Sequence, residues 1–274
     1  MNPSLQTWST EVLFWWYALC AVAVFNLVLW FRNFRKPLKT VDRHWQIWLS
    51  LVFVVVCGFR SVLPRADVQR IVLFDSWISS VAIGRSLATV AELCLMAQLS
   101  IYVRELAKAT HQKTALRISW MIMPMITIAE ICSWYAVITT NYLGNFCEES
   151  LWTLSALLLT IGYWLTRGRV DVKAKFNLAA GLLIAIGYLI FMTTVDLPMY
   201  FTRWQADQAA HHVYFTLSEG MHDVATRWVL TRSYTDWQTE MPWMALYFSV
   251  AVWLSISLIR APQVKDLATR PTLL

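Results

Sequence analysis

An all-α, polytopic bundle of seven transmembrane helices is the architecture this sequence predicts, with the N-terminus outside and the C-terminus cytoplasmic. Three observations carry the expectation. Of 274 residues, 58% are hydrophobic and only 15% charged, with a mean hydropathy of +0.48, whereas soluble domains carry about 25% charged residues. The apolar residues fall in runs of bilayer-crossing length. Lys and Arg are shared very unequally between alternate connecting loops. The length fits one integral membrane domain and leaves no room for a separate soluble one.

The spans are read at residues 11–31, 45–63, 77–103, 118–140, 151–166, 178–201 and 243–259. The first starts at Glu11 with no basic residue before it, unlike a signal peptide, and is expected to remain uncleaved. The second runs from Trp45 to Leu63 without interruption. The third and fourth are apolar but for Arg85, Glu92 and Glu130, with Pro124 inside the fourth. The fifth is the shortest and needs flanking residues to complete a crossing. The sixth ends at Asp196-Leu-Pro. The seventh, from Trp243 to Ile259, has no ionisable group.

Between the last two spans Tyr214, Leu217, Met221, Val224 and Trp228 recur at intervals of three and four, opposite a polar stripe. That spacing predicts an amphipathic helix over residues 209–230, lying on the outer membrane surface as a lid.

Orientation follows from charge. Sixteen of the 23 Lys and Arg residues lie in the loops 32–44, 104–117 and 167–175 and in the tail after Ile259. The opposite loops hold six basic residues and ten acids. Basic loops stay inside, so the chain is expected in a bacterial cytoplasmic (inner) membrane with its C-terminus in the cytoplasm. The same bias accounts for the net charge of +6 without nucleic acid as a partner. Five cysteines, with no CxxC and four of them inside spans, argue against a disulfide framework. Many of the sixteen tryptophans lie near span ends, as an aromatic belt requires.

The chemistry is expected at two mid-span glutamates. Span three reads Ala91-Glu92-Leu93-Cys94 and span four Ala129-Glu130-Ile131-Cys132. A charge at bilayer centre costs about 2.5–3.5 kcal/mol on insertion scales, so such groups face the bundle interior and are often functional. Side chains lean toward the N-terminus of their helix. In an antiparallel pair the two carboxylates then converge, sharing a proton or a cation. Arg85, seven residues before Glu92 on nearly the same face, is placed to neutralise one of them through an intermediate group. Glu92, Glu130 and Arg85 are thus the candidate catalytic residues.

A second set forms an acidic mouth. Glu148 and Glu149 open span five, Asp196 closes span six and Glu240 opens span seven, with Asn141 and Asn145 on the rim. In the lid, Glu219 and His222 form Glu-x-x-His, a spacing used in bundle metal sites. If the lid folds over the mouth, Glu219, His222, Asp196 and Glu148 or Glu149 make a mixed N/O set suited to zinc or iron. No histidine lies in a span, span seven lacks lysine, and no P-loop, GxGxxG or GxSxG pattern occurs.

Three functions are compatible with these residues. The first is an intramembrane enzyme, metal-dependent if the lid set is filled, acting on a lipid or other apolar substrate. The second is a proton- or cation-coupled carrier using Glu92 and Glu130. The third is a sensor or assembly subunit with a purely structural polar core. Membrane lipids, an apolar small molecule or a cation are the expected partners.

Overall fold

The computed structural model describes residues 8–35, 41–167 and 172–260. Much of the basic charge behind the expected orientation, in residues 36–40, 168–171 and 261–274, lies outside them. Six helices are long and apolar enough to cross a membrane: Thr10–Phe34, His44–Val62, Val81–Ala109, Lys113–Thr139, Gly181–Ala209 and Met241–Leu258. Large apolar side chains stand exposed along them, including Phe14 at 70% and Leu183 at 72%. In water this surface would aggregate; acyl chains accept it. The chain is a helical membrane protein.

The fifth expected span is α5 (Tyr142–Thr166), 25 residues long but less apolar than those six. Its buried face explains why, since it includes Asn145, Glu148, Ser155 and Thr166. The helix begins nine residues before the predicted Leu151, because the Asn141 carboxamide oxygen accepts the Leu143 N–H at 2.9 Å. Glu148 and Glu149 therefore sit inside a helix rather than opening one.

Contacts divide the chain into two compact units. The first contains α1 (Thr10–Phe34), α2 (Val41–Val62), the start of α3 (Val81–Ala109), the last residues of α4 (Lys113–Thr139), and everything from Phe215 to Ile259. α1 packs along α2. The last membrane helix is in three parts: α10 (Met241–Leu246), a wide π-helical stretch at Tyr247–Ala251, and α11 (Val252–Leu258). Asn26, buried on α1, donates to the Phe248 carbonyl at 2.8 Å and accepts from the Trp253 indole at 2.8 Å. One amide thus supplies bonds to both the irregular stretch and the helix after it.

The loops of this unit fold into a small ordered layer. β1 (Arg65–Ala66) pairs antiparallel with β2 (Ile71–Val72), and β2 pairs parallel with β3 (Val229–Leu230). Arg70, with φ 58°, turns the hairpin in the left-handed region. Its buried guanidinium is saturated: Nε donates to Asp223 Oδ2 at 2.8 Å, Nη1 to the Asp67 carbonyl at 2.5 Å and Nη2 to the Val137 carbonyl at 2.6 Å. α8 (Leu217–Thr226) begins with a reciprocal cap between Thr216 and Glu219. It lies so close to the end of α4 that a Cβ on Gly220 would meet the Ile138 carbonyl oxygen at 2.1 Å.

The single amphipathic helix expected over 209–230 is therefore shorter. α7 (Leu197–Ala209) runs up to its start, His211 at φ 51° lies just beyond, and residues 229–230 belong to β3. Local capping at Thr216 and strand pairing at Val229 override the longer apolar stripe.

The second unit contains the rest of α3 and α4, α5, α6 (Val172–Phe191) and α7. The sixth expected span does not stop at Asp196. A π-helical stretch, Met192–Asp196, joins α6 to α7. Pro198 enters α7 at its first turn, where no backbone donor is needed. Within this unit a Cβ on Gly144 would lie 2.8 Å from both Ala136 Cβ and the Cys132 carbonyl oxygen. Small residues thus let the α4 and α5 backbones touch.

Candidate carboxylate centre

The close Gly144–Ala136 crossing brings together the carboxylates of α4 and α5. Glu130 and Glu148 point inward and are 3% and 5% exposed. Glu92 on α3 is buried as well, at 8%. Within the second unit one carboxylate oxygen of Glu130 and one of Glu148 lie within 4.8 Å of each other, a pair of potential cation ligands. Glu92 belongs to the first unit.

Glu92 has its own surroundings. Arg85 Nη2 donates to Glu92 Oε2 at 2.9 Å, a direct ion pair across two helical turns rather than one through an intermediate group. The Tyr247 hydroxyl donates to Oε1 at 3.4 Å. Tyr247 is held against Phe53 of α2, ring centroids 5.7 Å apart. An arginine that follows the same stripe as its carboxylate is the cheapest way to keep an ionised acid in an apolar interior.

On α5 the Asn145 amide nitrogen donates to Glu148 Oε2 at 3.3 Å. Its carbonyl oxygen, Oδ1, is buried and accepts no hydrogen bond from any described residue. Flipping the amide would set that oxygen against a carboxylate, so the orientation is fixed by charge. A bare carbonyl oxygen beside carboxylates is a donor set for a hard cation. Two buried carboxylates this close repel each other unless a proton or a cation lies between them.

The other expected ligands lie elsewhere. Glu219 is exposed and accepts from the Thr216 N–H at 2.9 Å and hydroxyl at 2.8 Å. These two bonds hold its carboxyl below the usual range. His222 is exposed, with Nδ1 3.3 Å from the Thr226 hydroxyl. Both line a shallow groove on α8 with Ser218, Asp223 and Arg227. Glu149 and Asp196 are half-buried. Among the described residues, none of Glu219, His222, Asp196 and Glu149 belongs to a group of three closely spaced metal-ligating side chains. Glu240 instead accepts from Gln69 at 2.9 Å and from the Trp243 indole at 2.7 Å.

Asn145 is the residue whose role sequence reasoning missed. In sequence it is a rim residue; its position three before Glu148 on one helix is the signal that could have found it. Comparison of the chain with protein-family models, with curated proteins and with solved structures finds no match.

Proposed function

We propose that this protein is an intramembrane enzyme of the bacterial cytoplasmic membrane that binds a divalent cation and acts on a lipid or other apolar substrate. The observation that carries the reading is the buried pair of Glu130 and Glu148, with carboxylate oxygens within 4.8 Å of each other, and Asn145 bonded to Glu148 with a carbonyl oxygen that meets no described donor. The all-oxygen donor set suits magnesium, manganese or calcium better than zinc or iron. Arg85 and Tyr247 orient Glu92, and Glu130 and Glu148 are the carboxylates we assign to the cation. The basic-loop bias supports the cytoplasmic membrane and a cytoplasmic C-terminus, with α5, the fifth span, bringing the total to seven. Membrane lipids then supply both solvent and substrate.

A carrier is the second reading, and one observation favours it. The sixth and seventh membrane helices each contain a π-helical stretch, at Met192–Asp196 and Tyr247–Ala251. Such irregularities are frequent at functional sites. In that reading the carboxylates exchange protons.

Elemental analysis of detergent-purified protein separates the two. Wild type is expected to hold a divalent metal, or to take up Mg²⁺, Mn²⁺ or Ca²⁺ on titration, and Glu130→Gln/Glu148→Gln to lose it. Wild type that binds none of them overturns the metal reading. Proton flux in liposomes, abolished by Glu92→Gln, would then support the carrier.

A further inference from the structure

The first unit buries arginine donors that meet no acceptor among the described residues. Four arginines there are nearly inaccessible: Arg60 at 4%, Arg65 at 1%, Arg70 at 1% and Arg85 at 7%. Arg70 is saturated by its three acceptors, and Arg85 bonds Glu92. Arg65 Nε donates to Asp67 Oδ1 at 2.9 Å and Nη1 to the Ser80 carbonyl at 3.0 Å. Its Nη2 is buried and meets no acceptor among the described residues. Arg60 forms no ion pair or hydrogen bond with a described residue; its guanidinium stands over the Phe248 ring, 5.6 Å from the centroid. Asp67 and Glu92 are the carboxylates bonded to Arg65 and Arg85, and no carboxylate is bonded to Arg60 among the described residues.

The surroundings of Arg65 point the same way. Its guanidinium lies against the start of α3, where a Cβ on Gly84 would be 0.9 Å from Cζ. A cation at a helix N-terminus faces the positive end of the dipole and is repelled. The hydroxyls of Ser79 and Ser80, at that same terminus, are buried and also lack partners among the described residues. Burial, with Arg60 and Arg85 nearby, lowers the Arg65 pKa to about 10 against the opposing pull of Asp67. Burial pushes the Asp67 carboxyl up, yet Arg65, Arg60 and Arg85 outweigh it and hold it below its usual range. Every unsatisfied group here is a donor or a cation, and the helix end adds positive potential.

We propose that Arg60, Arg65 and the Ser79-Ser80 start of α3 bind a phosphate-class oxyanion, either a lipid headgroup phosphate or free inorganic phosphate. The anion takes Arg65 Nη2, the Arg60 guanidinium and the two serine hydroxyls, and supplies the acceptors they lack. Trp77 and Ile78, 66% and 48% exposed just before this helix, set the site at headgroup depth. It shares no residue with the carboxylate centre and stands whether or not that centre holds a metal.

The test uses the full chain in a neutral detergent, followed by tryptophan fluorescence during thermal unfolding. Inorganic phosphate is titrated in one arm. In the other, short-chain phosphatidic acid or phosphatidylglycerol is compared with phosphatidylcholine. Stabilisation by both phosphate and anionic lipid, or by either alone over chloride and phosphatidylcholine, supports the site and names its source. Arg60→Gln, which breaks no described bond, should weaken binding by roughly tenfold or more. Ser79→Ala, which removes an unbonded hydroxyl, should weaken it without harming the fold. Arg227→Gln, far more exposed, should change nothing. No stabilisation in either arm, or an unaltered response in both Arg60→Gln and Ser79→Ala, overturns the proposal.

Discussion

Replacing Asp223 by alanine should be among the most damaging single changes to the first unit. The Arg70 side chain is 1% exposed and that of Asp223 11%. Without the carboxylate, Arg70 keeps its bonds to the carbonyls of Asp67 and Val137 but loses the countercharge bonded to it. Breaking a buried pair in this way costs about 3–5 kcal/mol, and the surviving carbonyl bonds put this case near the lower end, about 3 kcal/mol. Arg227 bonds the same carboxylate, but its side chain is 52% exposed. Arg227→Ala should therefore cost only about 0–1 kcal/mol. For a chain of this size the midpoints should fall by roughly 6–12 °C and by less than about 4 °C. Thermal unfolding in a single detergent measures both. Equal shifts, or a loss below about 1 kcal/mol for Asp223→Ala, would refute the argument that burial sets the value. Asp223→Asn should fall between, since it keeps an acceptor and removes the charge.

The remaining predictions rest on other contacts. Burial raises the Asp223 carboxyl, but the hydrogen bonds from Arg227 and Arg70 prevail and hold it below the ordinary aspartate range. Its folded-state value is depressed, so its contribution is complete above the unfolded value of about 3.9. That contribution is lost as pH falls through the folded value. The difference between wild type and Asp223→Asn should accordingly shrink on acidification and not on raising pH, in unfolding curves taken across that range. Gly220→Ala should cost about 1–3 kcal/mol, because the new Cβ meets the Ile138 carbonyl of the backbone and cannot be accommodated by a rotamer change. Loss of hydrogen-exchange protection in α8 before the rest of the unit is its signature. Thr216→Ala removes the half of the cap made by its hydroxyl, keeps the bond from the backbone N–H of residue 216 to Glu219, and should cost about 1 kcal/mol, read by the same exchange experiment at Glu219 and its neighbours. Asn26→Ala orphans the Phe248 carbonyl and the Trp253 indole. A loss of about 1–2 kcal/mol is expected in denaturant titrations.

The legibility of the carboxylate centre was uneven for identifiable reasons. Glu92 and Glu130 stood out because a charge inside an apolar run has nowhere favourable to go except the interior. Arg85 stood out through its spacing. Glu148 looked like a helix-starting acid because the apolar run begins only after it, and hydropathy cannot see the buried polar face of α5. The Glu219/His222 pair was attractive as a motif, but its carboxylate is occupied in capping its own helix. The Thr216-x-x-Glu219 cap was present in the sequence and would have moved the helix start.

By itself, the sequence determined that the chain enters a membrane, roughly where its helices lie, and which few charges must face inward. Those follow from local transfer energies and need no knowledge of neighbours. Only the tertiary structure decided which inward groups meet. Helices that are apolar nearly all round carry no hydrophobic phase in sequence, so their facing is set by small-residue contacts such as Gly144 against Ala136. The same holds for Arg60, Arg65, Ser79 and Ser80, ordinary loop and helix-end residues in sequence. The donors they leave without acceptors are set only once α2, β1 and the start of α3 are folded together, because hydrogen-bond satisfaction depends on distance in space and not along the chain.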